Sequence, residues 1–290
     1  MKTGYNEATA KGCSTLEKDL ELCEKSGFDY IEIRLDMLRT YLESHTVGDL
    51  KNFFAHSHLK PHAFNALYTY SELFGEDDDP EKQKAVMEDF MLGCKVGKEI
   101  GSHYFIIVPP MREGSYATPF LGSWEDTFQN CVRILKKLSD IASEYEMNLC
   151  FELVGAPRCS VRSVEQADKI VRAVNRDNVG FVFDSCNIYM NGRLNNFDVI
   201  KTVDPKKIFA VHINNADDVP ENEMGPDKRC FCDHGAIDLD NYLSVLKEVG
   251  YDDMVSIETF RPEYWKKDAE WVIREAYRTT CEVLRKNNCL

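Results

Sequence analysis

The sequence has no apolar run that could cross a membrane, since none reaches the roughly 18 residues that a spanning helix requires. Its first residues, Met1–Glu7, are largely polar, so we expect no secretory signal peptide. Positive charge is scarce as well: 35 Lys and Arg face 49 Asp and Glu, which gives a net charge of −14. An acidic surface repels phosphate backbones. We therefore expect a cytoplasmic protein without nucleic-acid or membrane partners.

Glycine-rich phosphate loops and linkers are also missing. No GxGxxG string occurs, and no Gly/Ser-rich or low-complexity segment divides the chain. The first absence argues against an open, doubly wound nucleotide-binding sheet, and the second favours one domain over residues 1–290. The 11 cysteines are odd in number and scattered, and several lie within apolar runs, which indicates reduced thiols rather than a disulfide framework.

Strand-like and helix-like segments alternate along the whole chain. The strand candidates are short runs rich in Ile, Val, Phe and Tyr: Lys2–Asn6, Tyr30–Arg34, His62–Leu67, Tyr104–Val108, Asn148–Leu153, Gly180–Asp184, Ile208–Ile213 and Met254–Glu258. The amphipathic segments between them are Ser14–Ser26, Val47–His56, Glu81–Ile100, Trp124–Tyr145, Ser163–Val174, Asn196–Val203, Leu239–Val249 and Ala269–Lys286. Eight strands alternating with eight helices predict an α/β protein with a single (β/α)₈ TIM barrel.

Four metal-ligand side chains stand at the ends of the last four strand candidates: Glu152, Asp184, His212 and Glu258. In a parallel barrel the carboxyl ends of the strands meet on one face, so these side chains should converge. Three carboxylates placed so close together would repel one another unless a cation neutralised them. Oxygen ligands with one imidazole suit a single Mn²⁺, Mg²⁺, Co²⁺ or Zn²⁺ ion, and the sequence does not choose among them.

Two other clusters of potential ligands are less suited to a metal. His56, His58 and His62 precede the third strand, which places them at the opposite end of the barrel, and we expect a solvated loop there. The cysteines and histidine of Cys230–His234 are spaced too tightly for an ordinary structural zinc site, and we interpret them as loop residues with incidental thiols.

The strand-end Glu, Asp, His and Glu, in this order, resemble the xylose isomerase-like TIM barrels of the sugar isomerase and epimerase superfamily. Longer strings resemble the bacterial 2-keto-myo-inositol (inosose) isomerases of inositol catabolism. These strings are Asn6–Thr9, Asp19–Lys25, Asp29–Arg34, Val174–Gly180, Gly235–Asp240 and Phe260–Trp265. They run from the first strand past the last, so the resemblance covers essentially the whole chain, and Phe260–Trp265 is its most specific part.

The resemblance implies a mechanism. Glu152, Asp184, His212 and Glu258 would hold one divalent metal ion, with no organic cofactor. Glu152 and Glu258 would accept and donate the proton on opposite sides of a cis-enediolate, which moves a carbonyl by one carbon in a keto-cyclitol or keto-sugar substrate. Arg229 matches the arginine of the family on the loop after the seventh strand, where it would hold substrate oxygens.

Four further residues are candidate substrate contacts. Asn65 and Arg34 end the third and second strands, and a buried ion pair with Glu32 is the structural alternative for Arg34. Asn187 stands where many members of the superfamily have a histidine after the strand-six aspartate. His234 replaces part of a Pro-Gly-x-Gly string of the family, and we expect it to point at the site.

Several rival functions share this barrel. A ketose 3-epimerase or an inosose dehydratase would use the same metal site, and only product analysis separates them. Abasic-site endonucleases use further histidines where this chain has Asn65, Val108–Pro110 and Asn187, which disfavours DNA repair. A barrel that has lost catalysis is a third class, in which no divalent ion would bind. A homo-oligomer is a further possibility, with the aromatic pair Tyr264 and Trp265 as an interface or a pocket wall.

Overall fold

Eight parallel strands form a closed barrel in the computed structural model, which describes residues 1–69 and 80–290. The barrel strands are β1 (Lys2–Asn6), β2 (Tyr30–Arg34), β3 (Lys60–Tyr68), β4 (Tyr104–Val108), β5 (Asn148–Glu152), β6 (Val179–Asp184), β7 (Ile208–Ile213) and β10 (Met254–Ile257). Each strand pairs with its neighbours in sequence, and β10 closes the ring against β1. The predicted TIM barrel is confirmed. A separate antiparallel pair, β8 (Asn215–Ala216) and β9 (Arg229–Cys230), lies in the segment between β7 and β10.

Helices follow most of the strands. They are α1 (Leu16–Ser26), α2 (Leu35–Tyr41), α3 (Val47–His56), α4 (Pro80–Ile100), α5 (Trp124–Ser143), α6 (Val164–Val174), α7 (Ser185–Met190), α8 (Leu239–Glu248) and α9 (Ala269–Lys286). Local chemistry explains where they begin. A capping box begins α6, since the Ser163 side chain accepts from the backbone N–H of Gln166 and the Gln166 side chain accepts from the backbone N–H of Ser163.

The chain between β6 and β7 differs from the prediction. The expected helix Asn196–Val203 is wrong: only a short 3₁₀ helix, Asp198–Thr202, forms there. The α-helix of this unit is instead α7, which starts directly after Asp184 without a connecting loop. The same pattern occurs after β2, where α2 begins at once and was not predicted.

His62 is buried, which corrects the expectation of a solvated loop for all three histidines before strand three. It belongs to β3 itself, and its ring stacks on Tyr104 with centroids 4.7 Å apart and meets Tyr30 edge-on. These rings come from the first half of their strands, so they fill the barrel at the end opposite to the strand carboxyl termini. His56 and His58 are exposed, as expected.

All eleven cysteines are free thiols, and Cys13 is the one among them that is not buried. Buried thiols of this kind pack as small apolar side chains. Over residues 1–69 and 80–290, no helix is both long enough and apolar enough to cross a membrane.

Candidate metal centre

The barrel brings the four predicted ligands together at the carboxyl ends of its strands. Glu152 ends β5, Asp184 ends β6, His212 is the fifth residue of β7 and Glu258 follows β10. Ligand atoms of Glu152, His212 and Glu258 lie within 4.8 Å of one another. Asp184 adjoins this group, with its Oδ2 3.9 Å from His212 Nδ1. All four are buried, Glu152 being the most exposed at 6%.

Asp184 has two functions at once, one for each carboxylate oxygen. Oδ1 accepts the backbone N–H of Asn187 at 2.7 Å and so caps α7. Oδ2 faces the centre, where Asn214 Nδ2 donates to it at 2.8 Å. One carboxylate can therefore cap the helix through Oδ1 and still present Oδ2 to the predicted metal site.

The imidazole of His212 is oriented by Glu32, whose carboxylate lies 2.9 and 3.1 Å from Nε2. Within the described part of the chain, Nδ1 has no hydrogen-bond partner, and it lies 3.5 Å from Glu258 Oε2. A buried ring nitrogen without a partner, aimed at two carboxylates, is the arrangement that a metal ligand needs.

Arg229 supplies the positive charge at the centre. Its Nη1 donates to Glu258 Oε2 at 2.5 Å and to Asp184 Oδ2 at 3.2 Å, and its Nη2 donates to Asn187 Oδ1 at 3.1 Å. The side chain is buried and lies beside the ring of Phe260, 5.4 Å from its centroid. The burial makes these charge-assisted contacts stronger than they would be in water.

The two glutamates experience opposite electrostatic environments. Burial, reinforced by the charge of Glu258, raises the pKa of Glu152 to about 8. Burial would also raise the pKa of Glu258, but His212 and Arg229 outweigh it and lower that pKa to about 2. The pKa of Asp184 is raised by burial, against the opposing charge of Arg229.

The residues fit a divalent cation. Four buried carboxylates, those of Glu32, Glu152, Asp184 and Glu258, surround the guanidinium of Arg229 and the imidazole of His212. Burial of so much negative charge is costly without further compensation. Three oxygen donors and one nitrogen donor form a set that Zn²⁺, Mn²⁺, Co²⁺ and Mg²⁺ can each use.

The predicted substrate contacts divide into two groups. Asn65 and Asn187 line the cavity over the centre together with Arg229. Asn65 Nδ2 donates to Glu258 Oε1 at 3.0 Å, and Asn187 Nδ2 donates to Glu152 Oε1 at 2.7 Å. Both amides thus hold the glutamates that were predicted to move protons.

Arg34 and His234, unlike Asn65 and Asn187, are not among the residues that line the cavity in the described structure. Arg34 forms a two-pronged ion pair with Asp36, at 2.8 and 2.9 Å, and not with Glu32 as the alternative interpretation proposed. His234 is a correction: its ring is 59% exposed, contacts Asp233, and is not among the residues that line the cavity in the described structure. The glycine that follows, Gly235, has a φ of +135°, a backbone conformation that residues with a side chain rarely adopt.

Several residues of the site were missed from the sequence. Asn6, the last residue of β1, and Glu32, the middle residue of β2, bond to the predicted ligands directly, and Asn214 bonds to Asp184. Tyr116 and Met111 line the cavity from the segment after β4. Asn6 had a usable signal, because it is a polar residue at the carboxyl end of a strand-like run, and Glu32 had another, because it is a charged residue between two isoleucines of a buried strand.

Cavity size alone would have placed the functional site at the opposite end of the barrel. The cavity over the centre measures about 80 Å³, whereas one of about 650 Å³ lies at the opposite end of the barrel, next to His62 and Tyr104. The smaller cavity contains converging carboxylates and an arginine, which are groups that do chemistry. We therefore assign the site by its side chains.

Of the aromatic pair Tyr264 and Trp265, the tyrosine is buried and the tryptophan is half-buried. Tyr264 stacks on Phe231 with centroids 4.1 Å apart and accepts the Phe231 N–H at 3.2 Å, and Trp265 Nε1 donates to Thr9 O. Neither residue lines the cavity over the centre, whereas Phe260 of the same string does.

A closed parallel barrel with three carboxylates and a histidine at its strand ends defines a class of metal-site TIM barrels. The chain belongs to the xylose isomerase-like TIM barrel family, whose profile matches residues 20–275.

Within that family the chain is similar to inosose isomerases. It is 42% identical to the inosose isomerase of Bacillus velezensis over 287 residues, which cover 99% of this chain and 98% of the relative. The enzyme of Bacillus subtilis is also 42% identical over 287 residues, with 99% of each chain covered. A crystal structure of the IolI protein with a bound zinc atom superposes with a TM-score of 0.89, at 41% identity and 99% coverage of both chains.

Proposed function

We propose that this protein is a metal-dependent inosose isomerase, which moves the carbonyl of a keto-cyclitol by one carbon. The observation that carries the proposal is the pair Glu152 and Glu258, whose carboxylates face one cavity beside His212 and Arg229. Two buried carboxylates that converge beside a cation site are the groups that a proton transfer between neighbouring carbons requires. Full-length relatives named inosose isomerase support the choice of substrate class.

The ion would be held by Glu152, Asp184, His212 and Glu258. When bound, a divalent cation would polarise the substrate carbonyl and acidify the adjacent C–H bond. The relative of known structure holds zinc.

The side chains of Glu152 and Glu258 would carry out the proton transfers. One of the two glutamates takes the proton from the carbon beside the carbonyl, and electrons move into a carbon–carbon double bond to give an enediolate. The hydroxyl proton passes between the two oxygens, and a proton returns to the former carbonyl carbon from the other glutamate. No electron leaves the substrate, so the reaction needs no redox cofactor.

Neighbouring polar side chains orient the carboxylates of Glu152 and Glu258. Asn187 Nδ2 fixes Oε1 of Glu152, and Asn65 Nδ2 fixes Oε1 of Glu258. Nη1 of Arg229 is a preorganised cation beside Glu258, where it would stabilise negative charge on substrate oxygens. We keep Arg229, Asn65 and Asn187 as proposed substrate contacts; the guanidinium of Arg34 pairs with Asp36, and its contact with substrate stays a prediction.

The rival reactions on the same site have weaker support. Solved structures of 3-epimerase proteins superpose with TM-scores of 0.74, but at 16% and 19% identity they show the shared fold alone. A small polyol substrate and removal of a proton beside the carbonyl are common to these reactions, so they differ in the next step: an isomerase returns a proton to the former carbonyl carbon, an epimerase returns it to the same carbon, and a dehydratase expels water.

Proton NMR in D₂O with the metal-loaded protein tests the proposal. Inososes and ketohexoses are supplied one at a time, and deuterium should wash in beside the carbonyl of an inosose, accompanied by its positional isomer. Exchange without a shifted carbonyl would indicate an epimerase, and loss of water a dehydratase. Absence of exchange with every substrate at full metal occupancy would refute the isomerase.

A matched pair of variants connects the exchange to the site. Glu258→Gln should keep the fold and lose the exchange, because the amide neither accepts nor donates the proton. Glu263→Gln makes the same substitution at an exposed position five residues later, and it should exchange at the wild-type rate.

A further inference from the structure

Glu32 contacts His212 on the side of the ring that faces away from the other predicted metal ligands. It approaches Nε2 of His212, the ring nitrogen opposite to Nδ1, which lies near Glu258 and Asp184. Glu32 and His212 are both fully buried. A carboxylate without access to water is costly unless donors satisfy it, so its position beneath the centre requires an explanation.

Two amides fix Glu32 and a predicted metal ligand together. Asn6 Nδ2 donates to Glu32 Oε2 at 2.8 Å and to Glu258 Oε1 at 2.9 Å. Asn65 Nδ2 reaches the same two oxygens at 3.4 and 3.0 Å. The position of the Glu32 carboxylate is therefore tied to that of Glu258, and through Nε2 to the plane of the His212 ring.

We propose that Glu32 is a positioning residue: it accepts the Nε2 proton of His212 and so presents the Nδ1 lone pair to the metal ion. An imidazole that binds a metal through Nδ1 carries its proton on Nε2, and a fixed acceptor at that position selects this tautomer and this ring orientation. The inference rests on the metal-dependent function proposed above.

A purely structural role for Glu32 makes different predictions. A residue that only fills space or stabilises the barrel would change the free energy of unfolding without changing the His212 tautomer. The decisive measurements are therefore the affinity for Zn²⁺ and the ring-nitrogen signals of His212, which do not depend on turnover.

Two variants of Glu32 distinguish the role of its hydrogen-bond acceptor from that of its negative charge. Glu32→Gln retains an amide oxygen that can accept from Nε2, whereas Glu32→Leu removes the acceptor. Asp19→Asn is the matched control, since it also removes one fully buried carboxylate but lies outside the centre. Zn²⁺ affinity is measured by competition with a chelator, and ¹⁵N-labelled, Zn²⁺-loaded protein reports the tautomer by NMR.

Wild-type protein should show a hydrogen-bonded Nε2–H on His212 that exchanges slowly with water. Glu32→Leu should lose that signal and bind Zn²⁺ about 10- to 100-fold more weakly, as loss of a partner behind a histidine ligand generally does. Glu32→Gln should keep the signal and lose less affinity than Glu32→Leu, and Asp19→Asn should match the wild type.

An unchanged Nε2–H signal in Glu32→Leu, or a change in Zn²⁺ affinity of less than about twofold, would overturn the proposal. Should Glu32→Leu fail to fold, Glu32→Gln decides alone: weaker Zn²⁺ binding with the Nε2–H retained supports the role, and unchanged affinity refutes it. Tight Zn²⁺ binding that depends on Glu32, combined with no deuterium exchange on any inosose, would refute the isomerase and leave the role of Glu32 standing.

Discussion

Asp19 on α1 should make the stability of this protein fall as the pH rises. Its carboxylate is fully buried, and in the described structure neither oxygen has a hydrogen-bond partner of ordinary geometry. Burial raises its pKa to about 7, although Ser14 and Glu7 lie close enough to lower it in part. Glu7 is buried beside it, and its pKa is also raised, first by burial and then by the charge of Asp19.

The sign and size follow from proton linkage. The folded state holds the Asp19 proton up to a higher pH than the unfolded state, whose aspartate pKa is about 3.9. Stability is therefore lost as the pH rises from about 4 to about 7, and the full loss is about 4 kcal/mol. An asparagine side chain cannot ionise, so Asp19→Asn should gain about 1.5 kcal/mol over the wild type at pH 5 and about 4 kcal/mol at pH 8, apart from a constant offset.

Urea unfolding of metal-free protein at pH 5, 6, 7 and 8 measures this difference. The informative quantity is its dependence on pH, because a buried amide also adds a pH-independent offset. Glu21→Gln, an exposed position on the same helix, should give a difference that does not change with pH. Parallel stability curves for Asp19→Asn and the wild type would show that Asp19 has an ordinary pKa, and the reasoning from burial would fail.

Three further predictions follow. Arg229→Lys should lower the exchange rate by about 100-fold, because one ammonium cannot replace a two-armed contact, while Arg278→Lys on the surface should not change it. Burial lowers the pKa of His62 to about 4, so the folded state takes up a proton there less readily than the unfolded state does. The free energy of unfolding of the metal-free wild type should therefore fall by about 3 kcal/mol more between pH 7 and pH 4 than that of His62→Phe, as measured by urea unfolding. Equal losses in the two proteins would contradict this prediction. Removal of the ion with a chelator should lower the free energy of unfolding by about 2.7 kcal/mol relative to a free ion concentration 100-fold above Kd, and an unchanged melting curve would argue against a metal centre.

The barrel was predictable because its strands are buried on both faces. Such strands are continuous apolar runs, as in Tyr104–Val108 and Ile208–Ile213, and both were predicted with the bounds that the structure has. The convergence of Glu152, Asp184, His212 and Glu258 followed from the rule that the carboxyl ends of parallel strands lie on one face of a barrel. That rule needs only the position of a residue along its strand and no side-chain detail.

The remaining parts depended on tertiary contacts. Helices α2 and α7 follow their strands without a polar loop that would mark where a helix begins, and the segment Asn196–Val203 forms only a 3₁₀ helix, Asp198–Thr202. Arg34 pairs with Asp36, on the unpredicted α2, rather than with Glu32. Strand alternation places Tyr30, Glu32 and Arg34 on one face, but which partner Glu32 takes depends on a histidine 180 residues away.

The hydrogen bond from Asn6 to Glu258 spans 252 positions of sequence and crosses the junction where β10 meets β1. Asn6 and Glu258 meet only where the first and last strands pair, so this part of the centre is complete only in the closed barrel. An ion bound by Glu258 would prefer the closed barrel to an open one and would therefore stabilise the junction between its first and last strands.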